Sequence, residues 1–190
     1  MKNWKKEILS VPNLLSLLRL LLIPVYILIY VNASKPVDYF LSGSILAFSC
    51  LTDMIDGKIA RKYNMITTLG KVLDPLADKA TQFALILCLA IRYPILRVLV
   101  ALFAVKESFM LIAGGINFLK GRMLKGALMS GKISTTVLFV SLILLVVFPG
   151  INDTMRYIIT TIDAAVMLYA FIDYATTYAK KDDQFQEIDF

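Results

Sequence analysis

Six long apolar segments divide this chain of 190 residues, and they constrain its fold more than any other feature. Each approaches the roughly 20 residues that a helix needs to cross the hydrocarbon core of a bilayer. Because backbone groups find no water there, spanning segments of this kind form helices that satisfy their own hydrogen bonds. We therefore predict six transmembrane helices, with approximate bounds 14–31, 40–55, 72–91, 95–118, 133–148 and 157–178.

The composition supports a membrane protein. Hydrophobic residues make up 58% of the chain, whereas soluble domains average about 45–50%. A soluble chain this short could not bury so much apolar surface, so we expect an all-α integral membrane protein with membrane lipid as its surroundings. The net charge is +6, but the basic residues fall between the apolar segments and form no single patch. This pattern argues against a nucleic-acid partner and suits anionic lipid headgroups.

The N-terminal residues differ from the apolar segments. Trp4, Ile8 and Leu9 alternate with lysines, which predicts a short amphipathic helix lying in the membrane interface. Pro12 would end that helix before the first span. With no repeat or composition break elsewhere, we predict one membrane domain over residues 1–190. It comprises a juxtamembrane amphipathic segment (1–12), a six-helix catalytic core (13–178) and a cytoplasmic tail (179–190).

Charge in the connections predicts the orientation. Lysine and arginine are concentrated at both ends of the chain and in the connections after the second and fourth segments. Such an excess marks the cytoplasmic side of a membrane protein. We expect a multi-pass protein of the cell membrane with both termini in the cytoplasm.

Aspartates stand where an apolar segment should exclude them. Asp53 and Asp56 end the second segment, and Asp74 and Asp78 begin the third. A charge inside a span costs about 2.5–3.5 kcal/mol on insertion scales, so such residues usually serve a function. Each pair has helical spacing and would share one helix face. A short connection joins the two segments, so the four carboxylates can converge on one point.

Four converging carboxylates would raise one another's pKa unless cations neutralise them. Oxygen-only ligands favour hard cations, so two Mg²⁺ or Mn²⁺ ions are the expected cofactors. Two such ions suit phosphoryl chemistry. Glycines at matching helical positions admit a large substrate, and Arg61 offers a planar fork for phosphate. The pattern indicates a pyrophosphate-type substrate at the cytoplasmic surface, where the active site is therefore expected.

The aspartate pattern has two other interpretations. The aspartates could simply lie on solvated helix ends, but two pairs with aligned glycines make that explanation weak. A divalent-cation transporter would also place aspartates within helices, yet it would explain neither the glycines nor Arg61. Histidine is absent from the chain, so proton transfer would fall to a carboxylate, lysine, tyrosine or cysteine.

The order of these residues is similar to a known signature. Asp53-x-x-Asp56-Gly57-x-x-Ala60-Arg61, eight further residues and Gly70-x-x-x-Asp74-x-x-x-Asp78 resemble the motif of the CDP-alcohol phosphatidyltransferases without departure. The resemblance implies a six-span core, usually a homodimer. It also implies that an alcohol hydroxyl attacks the β-phosphorus of a CDP-linked lipid, usually CDP-diacylglycerol, and that CMP leaves.

The resemblance also implies residue roles. Asp53 and Asp74 would bridge two metals, Asp56 would serve one and Asp78 the other. Asp78 would also be the catalytic base that takes the hydroxyl proton. Residues at the positions where the family binds the CDP-lipid are Asn13, Ser16, Asp53, Gly57, Ala60, Arg61, Thr67 and Gly70.

The acceptor alcohol is less sharply indicated. Residues 13–19 and 70–79 resemble bacterial phosphatidylglycerophosphate synthases and the cardiolipin synthases of the same fold. Glycerol 3-phosphate is therefore the expected small alcohol, with phosphatidylglycerol, a lipid alcohol, as the alternative. Lys106-Glu107 stands where the former enzymes often have Arg-Glu, which leaves the acceptor open. Basic residues that could bind an acceptor phosphate are Arg19, Lys106, Arg122, Lys125 and Lys132.

Overall fold

The computed structural model of the protein describes residues 10–62, 70–180 and 185–187. The amphipathic helix predicted over residues 1–11 lies almost entirely outside these ranges. Within them, six long helices occupy the places of the six predicted segments. They are α1 (Val11–Val31), α2 (Pro36–Lys62), α3 (Gly70–Arg92), α4 (Arg97–Leu119), α5 (Met129–Val147) and α6 (Asp153–Ala179).

Polar and proline residues define several helix ends. Proline lacks the amide hydrogen that a first turn leaves unpaired, and Pro12 lies in the first turn of α1. Asp38 accepts hydrogen bonds from the backbone amides of Lys35 and Ser34, which lowers the pKa of this carboxyl. The Asn152 side chain caps α6 by accepting a hydrogen bond from the Met155 amide at 2.8 Å. These caps satisfy amides that would otherwise lack partners.

Backbone contacts divide the chain into two compact units. The first comprises Met1–Leu89 and Ile143–Gly150. In it α1 packs along α2, and buried tyrosines line that contact. The rings of Tyr26 and Tyr30 stack at 5.6 Å, and Tyr30 meets Tyr39 edge-on at 5.9 Å. Aromatic pairs in these geometries stabilise beyond their buried area, so this row fixes how α1 lies on α2.

The second compact unit comprises Ala90–Leu142 and Ile151–Phe190. Here α4 packs against α6, and the rings of Phe109 and Phe171 meet edge-on at 5.2 Å. Arg156, in the first turn of α6, pairs with Asp153 and lies 3.9 Å above the centre of the Tyr93 ring. Aromatic contacts thus join α4 to α6, and α6 to the connection before α4.

Three described helices are long and apolar enough to cross a membrane by length and composition. They are Asn13–Val31, Met129–Val147 and Asp153–Ala179. Large apolar side chains stay exposed on them, such as Leu21 on α1 at 68%. This outward apolar surface is typical of a membrane protein. The predicted total of six spans stays a prediction.

A small β-ribbon lies outside the helices and was not predicted. Strand β1 (Arg122–Leu124) pairs antiparallel with β2 (Phe185–Glu187), so that Met123 faces Gln186. Gly121 turns the chain from α4 into β1 with a φ of 73°, a left-handed conformation that glycine adopts at little cost. Residues 185–187 of the C-terminal tail are therefore paired with the connection between α4 and α5.

Candidate active site

One face of α1 carries buried polar residues. Asn13, Ser16 and Arg19 occur at intervals of three and are all at most 2% exposed. Residues with this spacing lie on neighbouring positions of one helix face. In an otherwise apolar helix, buried polar groups need partners, because burial without hydrogen bonds is costly.

Two of these side chains contact the aspartates of α3. The Ser16 hydroxyl donates a hydrogen bond to Asp74 Oδ1. Arg19 Nη1 donates to Asp78 Oδ1 at 2.5 Å, and the two groups form an ion pair. Asp74 and Asp78 are four residues apart and Ser16 and Arg19 are three apart, so both contacts form between one face of each helix. We call these two contacts the α1–α3 ladder.

The two members of the ion pair differ in exposure. The side chain of Arg19 is 2% exposed, whereas that of Asp78 is 46% exposed. A buried guanidinium is strongly destabilising unless a carboxylate compensates it. The pair therefore anchors the buried arginine and leaves the carboxylate accessible from outside the helix pair.

Helix α3 begins close to its aspartates. Gly70 is its first residue and is buried, and Asp74 follows one turn later. Pro75 lies inside the helix, five residues after its start. A proline removes the hydrogen bond to the carbonyl four residues earlier, which here belongs to Lys71 in the first turn. The helix continues past Pro75 with the loss of this one hydrogen bond, so Asp74 and Asp78 still belong to the same helix.

The remaining motif residues lie at the end of α2. The helix continues through Lys62, so the helical spacing of the motif residues on its backbone is as predicted. Their side chains, and Thr67 altogether, lie outside the described residues. The motif residues concerned on α2 are Asp53, Asp56, Gly57, Ala60 and Arg61.

The predicted metal ligands lie only partly among the described side chains. Among the described residues, no three acidic, cysteine or histidine side chains form a group able to hold a metal ion. Of the four predicted ligands, Asp74 and Asp78 have described side chains. Both offer carboxylate oxygens on one helix face, and this donor type fits a hard cation such as Mg²⁺. The predicted metal set stays a prediction.

The predicted acceptor residues other than Arg19 belong to the second compact unit. Lys106 of α4 is buried and forms an ion pair with Glu107 at 3.0 Å. Arg122 lies in β1, while Lys125 and Lys132 are exposed after β1 and in the first turn of α5. Their predicted roles remain untested. Arg19, in the first unit, contacts Asp78 instead of facing solvent.

One cluster near Lys132 was not anticipated. The Ser130 hydroxyl donates to Asp173 at 2.5 Å, and the Leu128 amide donates to the Tyr174 hydroxyl at 3.1 Å. A Cβ on Gly131 would approach the Tyr174 hydroxyl to 2.6 Å. The start of α5 is therefore fixed closely against α6. No spacing in the sequence indicates which tyrosine fills the space beside Gly131.

Comparison with known proteins identifies the class. The family model described as CDP-alcohol phosphatidyltransferase matches residues 9–172. This range contains α1, the aspartates of α3 and most of α6. The chain therefore belongs to the CDP-alcohol phosphatidyltransferase family.

Individual relatives within the family carry more specific names. The chain is 39% identical over 138 residues to the "CDP-diacylglycerol--glycerol-3-phosphate 3-phosphatidyltransferase" of Aquifex aeolicus, covering 72% of this chain and 74% of the relative. A Rickettsia bellii protein of the same name is 45% identical over 71 residues, covering 37% of this chain and 38% of the relative.

A relative with a different name also matches. The "Cardiolipin synthase (CMP-forming) / mitochondrial hydrolase fusion protein" of Schizosaccharomyces pombe is 40% identical over 90 residues. These residues are 46% of this chain but only 14% of that fusion protein. The predicted membership in the family is thus confirmed, and relatives carry the names of both enzyme types that the sequence resembles.

Proposed function

We propose that this protein transfers a phosphatidyl group from CDP-diacylglycerol to glycerol 3-phosphate, giving phosphatidylglycerophosphate and CMP. The observation that carries the proposal is the 39% identity to the Aquifex aeolicus relative of that name across 72% of this chain. The complete aspartate signature supports it, and so does the contact of both α3 aspartates with α1.

The reaction is a substitution at phosphorus. The acceptor hydroxyl oxygen forms a bond to the β-phosphorus of the CDP-lipid, and the bond from that phosphorus to the CMP oxygen breaks. Asp78 takes the hydroxyl proton as general base. Its 46% exposed carboxylate is accessible for this role, and in a chain without histidine a carboxylate is a suitable base.

Divalent cations belong to this proposal. Asp53, Asp56, Asp74 and Asp78 would hold two Mg²⁺ or Mn²⁺ ions. When bound, such ions neutralise the pyrophosphate and stabilise charge on the attacking and leaving oxygens. The chain itself orients two of the carboxylates, since Ser16 and Arg19 hold Asp74 and Asp78 from α1. Partners of this kind support metal affinity in many proteins.

Substrate positioning is assigned to the flanking residues. Arg61 would bind phosphate, and the small residues of the motif would let the nucleotide approach α2 and α3. The residues proposed to bind the CDP-lipid are Asn13, Ser16, Asp53, Gly57, Ala60, Arg61, Thr67 and Gly70. Lys106, Arg122, Lys125 and Lys132 are the proposed acceptor ligands.

The proposed setting is the cell membrane. All six long helices would span it as one domain, with both termini and the active site on the cytoplasmic side, as the charge distribution indicates. A homodimer is proposed from the family resemblance. The three described helices that are apolar enough to span support the membrane setting.

A second acceptor has a specific observation in its favour. The Schizosaccharomyces pombe relative, whose name includes cardiolipin synthase, is 40% identical over 90 residues. Phosphatidylglycerol is therefore the alternative acceptor, and cardiolipin would be the product. Both reactions release CMP, and they differ in the acceptor consumed and in the lipid formed.

Thin-layer chromatography of the product separates the two reactions. Purified protein in detergent receives CDP-diacylglycerol, Mg²⁺ and either labelled glycerol 3-phosphate or labelled phosphatidylglycerol. We expect label in phosphatidylglycerophosphate. Conversion of phosphatidylglycerol to cardiolipin without use of glycerol 3-phosphate would overturn the acceptor assignment and support the alternative.

A further inference from the structure

We propose that Arg19 is a positioning residue that holds the catalytic Asp78, rather than a ligand of the acceptor phosphate. This inference rests on the proposed function, which makes Asp78 the base. The observation behind it is the ion pair between Arg19 Nη1 and Asp78 Oδ1 at 2.5 Å.

Burial decides between the two roles. The Arg19 side chain is 2% exposed, so a soluble phosphate could reach it only if the surrounding helices separated. The Asp78 side chain is 46% exposed and can meet a substrate while it stays paired. If Arg19 bound the acceptor, its own side chain would have to be the exposed member of the pair.

The geometry suits orientation of a carboxylate. A guanidinium is planar, always charged and directional in its hydrogen bonds, so it fixes the carboxylate that it binds more firmly than an ammonium does. Arg19 lies on rigid α1, one turn after Ser16, whose hydroxyl holds Asp74 in the same way. The two contacts of the α1–α3 ladder therefore orient both α3 carboxylates from one helix.

The apolar surroundings of this ion pair support the same role. Arg19 also lines a small pocket between α1, α2 and α3. The other lining residues are mainly apolar, among them Leu22, Ile45 and Ala84. An apolar wall of this kind weakens solvent screening of the ion pair.

Steady-state kinetics tests the positioning role. The variants are Arg19→Lys, which keeps the charge, and Arg19→Gln, which removes it. We expect kcat to fall about 10- to 100-fold, as for other groups that orient a catalytic ligand, with KM for glycerol 3-phosphate changed less than about 3-fold. A raised KM for glycerol 3-phosphate with kcat retained would overturn the proposal and make Arg19 an acceptor ligand. Unchanged kinetics would overturn it as well.

Arg156→Lys provides a matched control. Arg156 is also a largely buried arginine paired with an aspartate, Asp153, but it belongs to the other compact unit and to no proposed site. We expect its kcat and KM to stay at wild-type values. A kcat loss equal to that of Arg19→Lys would show a general effect of altering arginines and would contradict the proposal.

A second measurement needs no activity. Melting temperatures are compared in EDTA for wild type, Arg19→Gln, Asp78→Asn and the double variant. Each single change leaves a charge without its partner, whereas the double change removes both charges. We expect the double variant to lose clearly less than the sum of the single losses, and simple additivity would overturn the contact.

The two proposals can fail separately. If wild-type protein releases no CMP with any acceptor, the proposed function fails, and the melting cycle still decides whether Arg19 holds Asp78. If wild type is active but the Arg19 variants are active at wild-type kcat, only the positioning role fails.

Discussion

The Ser16 hydroxyl on α1 donates a hydrogen bond to Asp74 on α3, one turn before Arg19 reaches Asp78. The first helix therefore holds both aspartates that the third helix contributes to the signature. Because helices are rigid, α1 can set the direction of two carboxylates at once. This relationship accounts for the buried polar face of a helix that is otherwise apolar enough to span a membrane.

Replacement of Asp78 by Asn should remove most of the activity. Asn keeps the size of the side chain but cannot take a proton, so we expect CMP release to fall by about 100- to 10,000-fold, the range for a lost general base. Asp153→Asn is the matched control, since Asp153 is an exposed aspartate that also pairs with an arginine. Asp78→Asn with more than half of wild-type activity would exclude Asp78 as the base.

Chelation should stop the reaction. The proposed site has only carboxylate ligands, which favour Mg²⁺ or Mn²⁺ and release them to EDTA. We expect CMP release to fall to background after dialysis against EDTA and to return when Mg²⁺ or Mn²⁺ is added. Full activity in excess EDTA would be incompatible with metal-held phosphate chemistry.

Gly131 should not tolerate a side chain. A Cβ there would lie 2.6 Å from the Tyr174 hydroxyl and 2.7 Å from Cε2 of the same ring. The ring is buried and its hydroxyl accepts from the Leu128 amide, so it cannot move without losing that bond. We expect Gly131→Ala to destabilise the protein by about 1–3 kcal/mol, a typical cost of overpacking, measured by thermal unfolding in detergent.

Gly115→Ala is the control for that substitution. A Cβ on Gly115, in α4, meets nothing within 4 Å. Alanine also favours a helix over glycine, so we expect no loss of stability. If both variants melt like the wild type, the contact between Gly131 and Tyr174 is not as close as described.

The pairing of strand β2 with β1 should depend on Phe185. A two-stranded ribbon is marginal alone, and the Phe185 ring packs 5.7 Å from that of Tyr178 at the end of α6. We expect Phe185→Ala to speed hydrogen exchange at residues 122–124 several-fold, since aromatic contacts contribute about 0.5–1.5 kcal/mol. Leu119→Ala, at a residue 83% exposed, should leave that exchange unchanged. Equal exchange in all three proteins would argue against the ribbon.

The helices and the family were accessible from the sequence. Apolar segments longer than a dozen residues have few alternatives to helix, and the structure places helices at all six. The aspartate signature led to the family because its spacing carries chemistry as well as structure. The family resemblance also pointed to Asn13 and Ser16, and a charge within an apolar segment pointed to Arg19.

The contacts between side chains of different helices could not be predicted from the sequence. The sequence suggested that Arg19 binds the acceptor because a charge within a span needs a function, but it could not reveal that Asp78, 59 residues later, is its partner. The β-ribbon could not be predicted because strands of three residues are too short to show a periodic pattern. Packing of Gly131 on Tyr174 depends on helix rotation, which composition does not determine.

Acceptor-dependent release of CMP tests the central claim most directly. Purified protein in detergent is given Mg²⁺ and CDP-diacylglycerol, with and without glycerol 3-phosphate, and free CMP is measured over time. We predict rapid release only when glycerol 3-phosphate is present. No release with glycerol 3-phosphate, phosphatidylglycerol or any other alcohol, by protein that still binds CDP-diacylglycerol, would contradict the assignment as a phosphatidyltransferase.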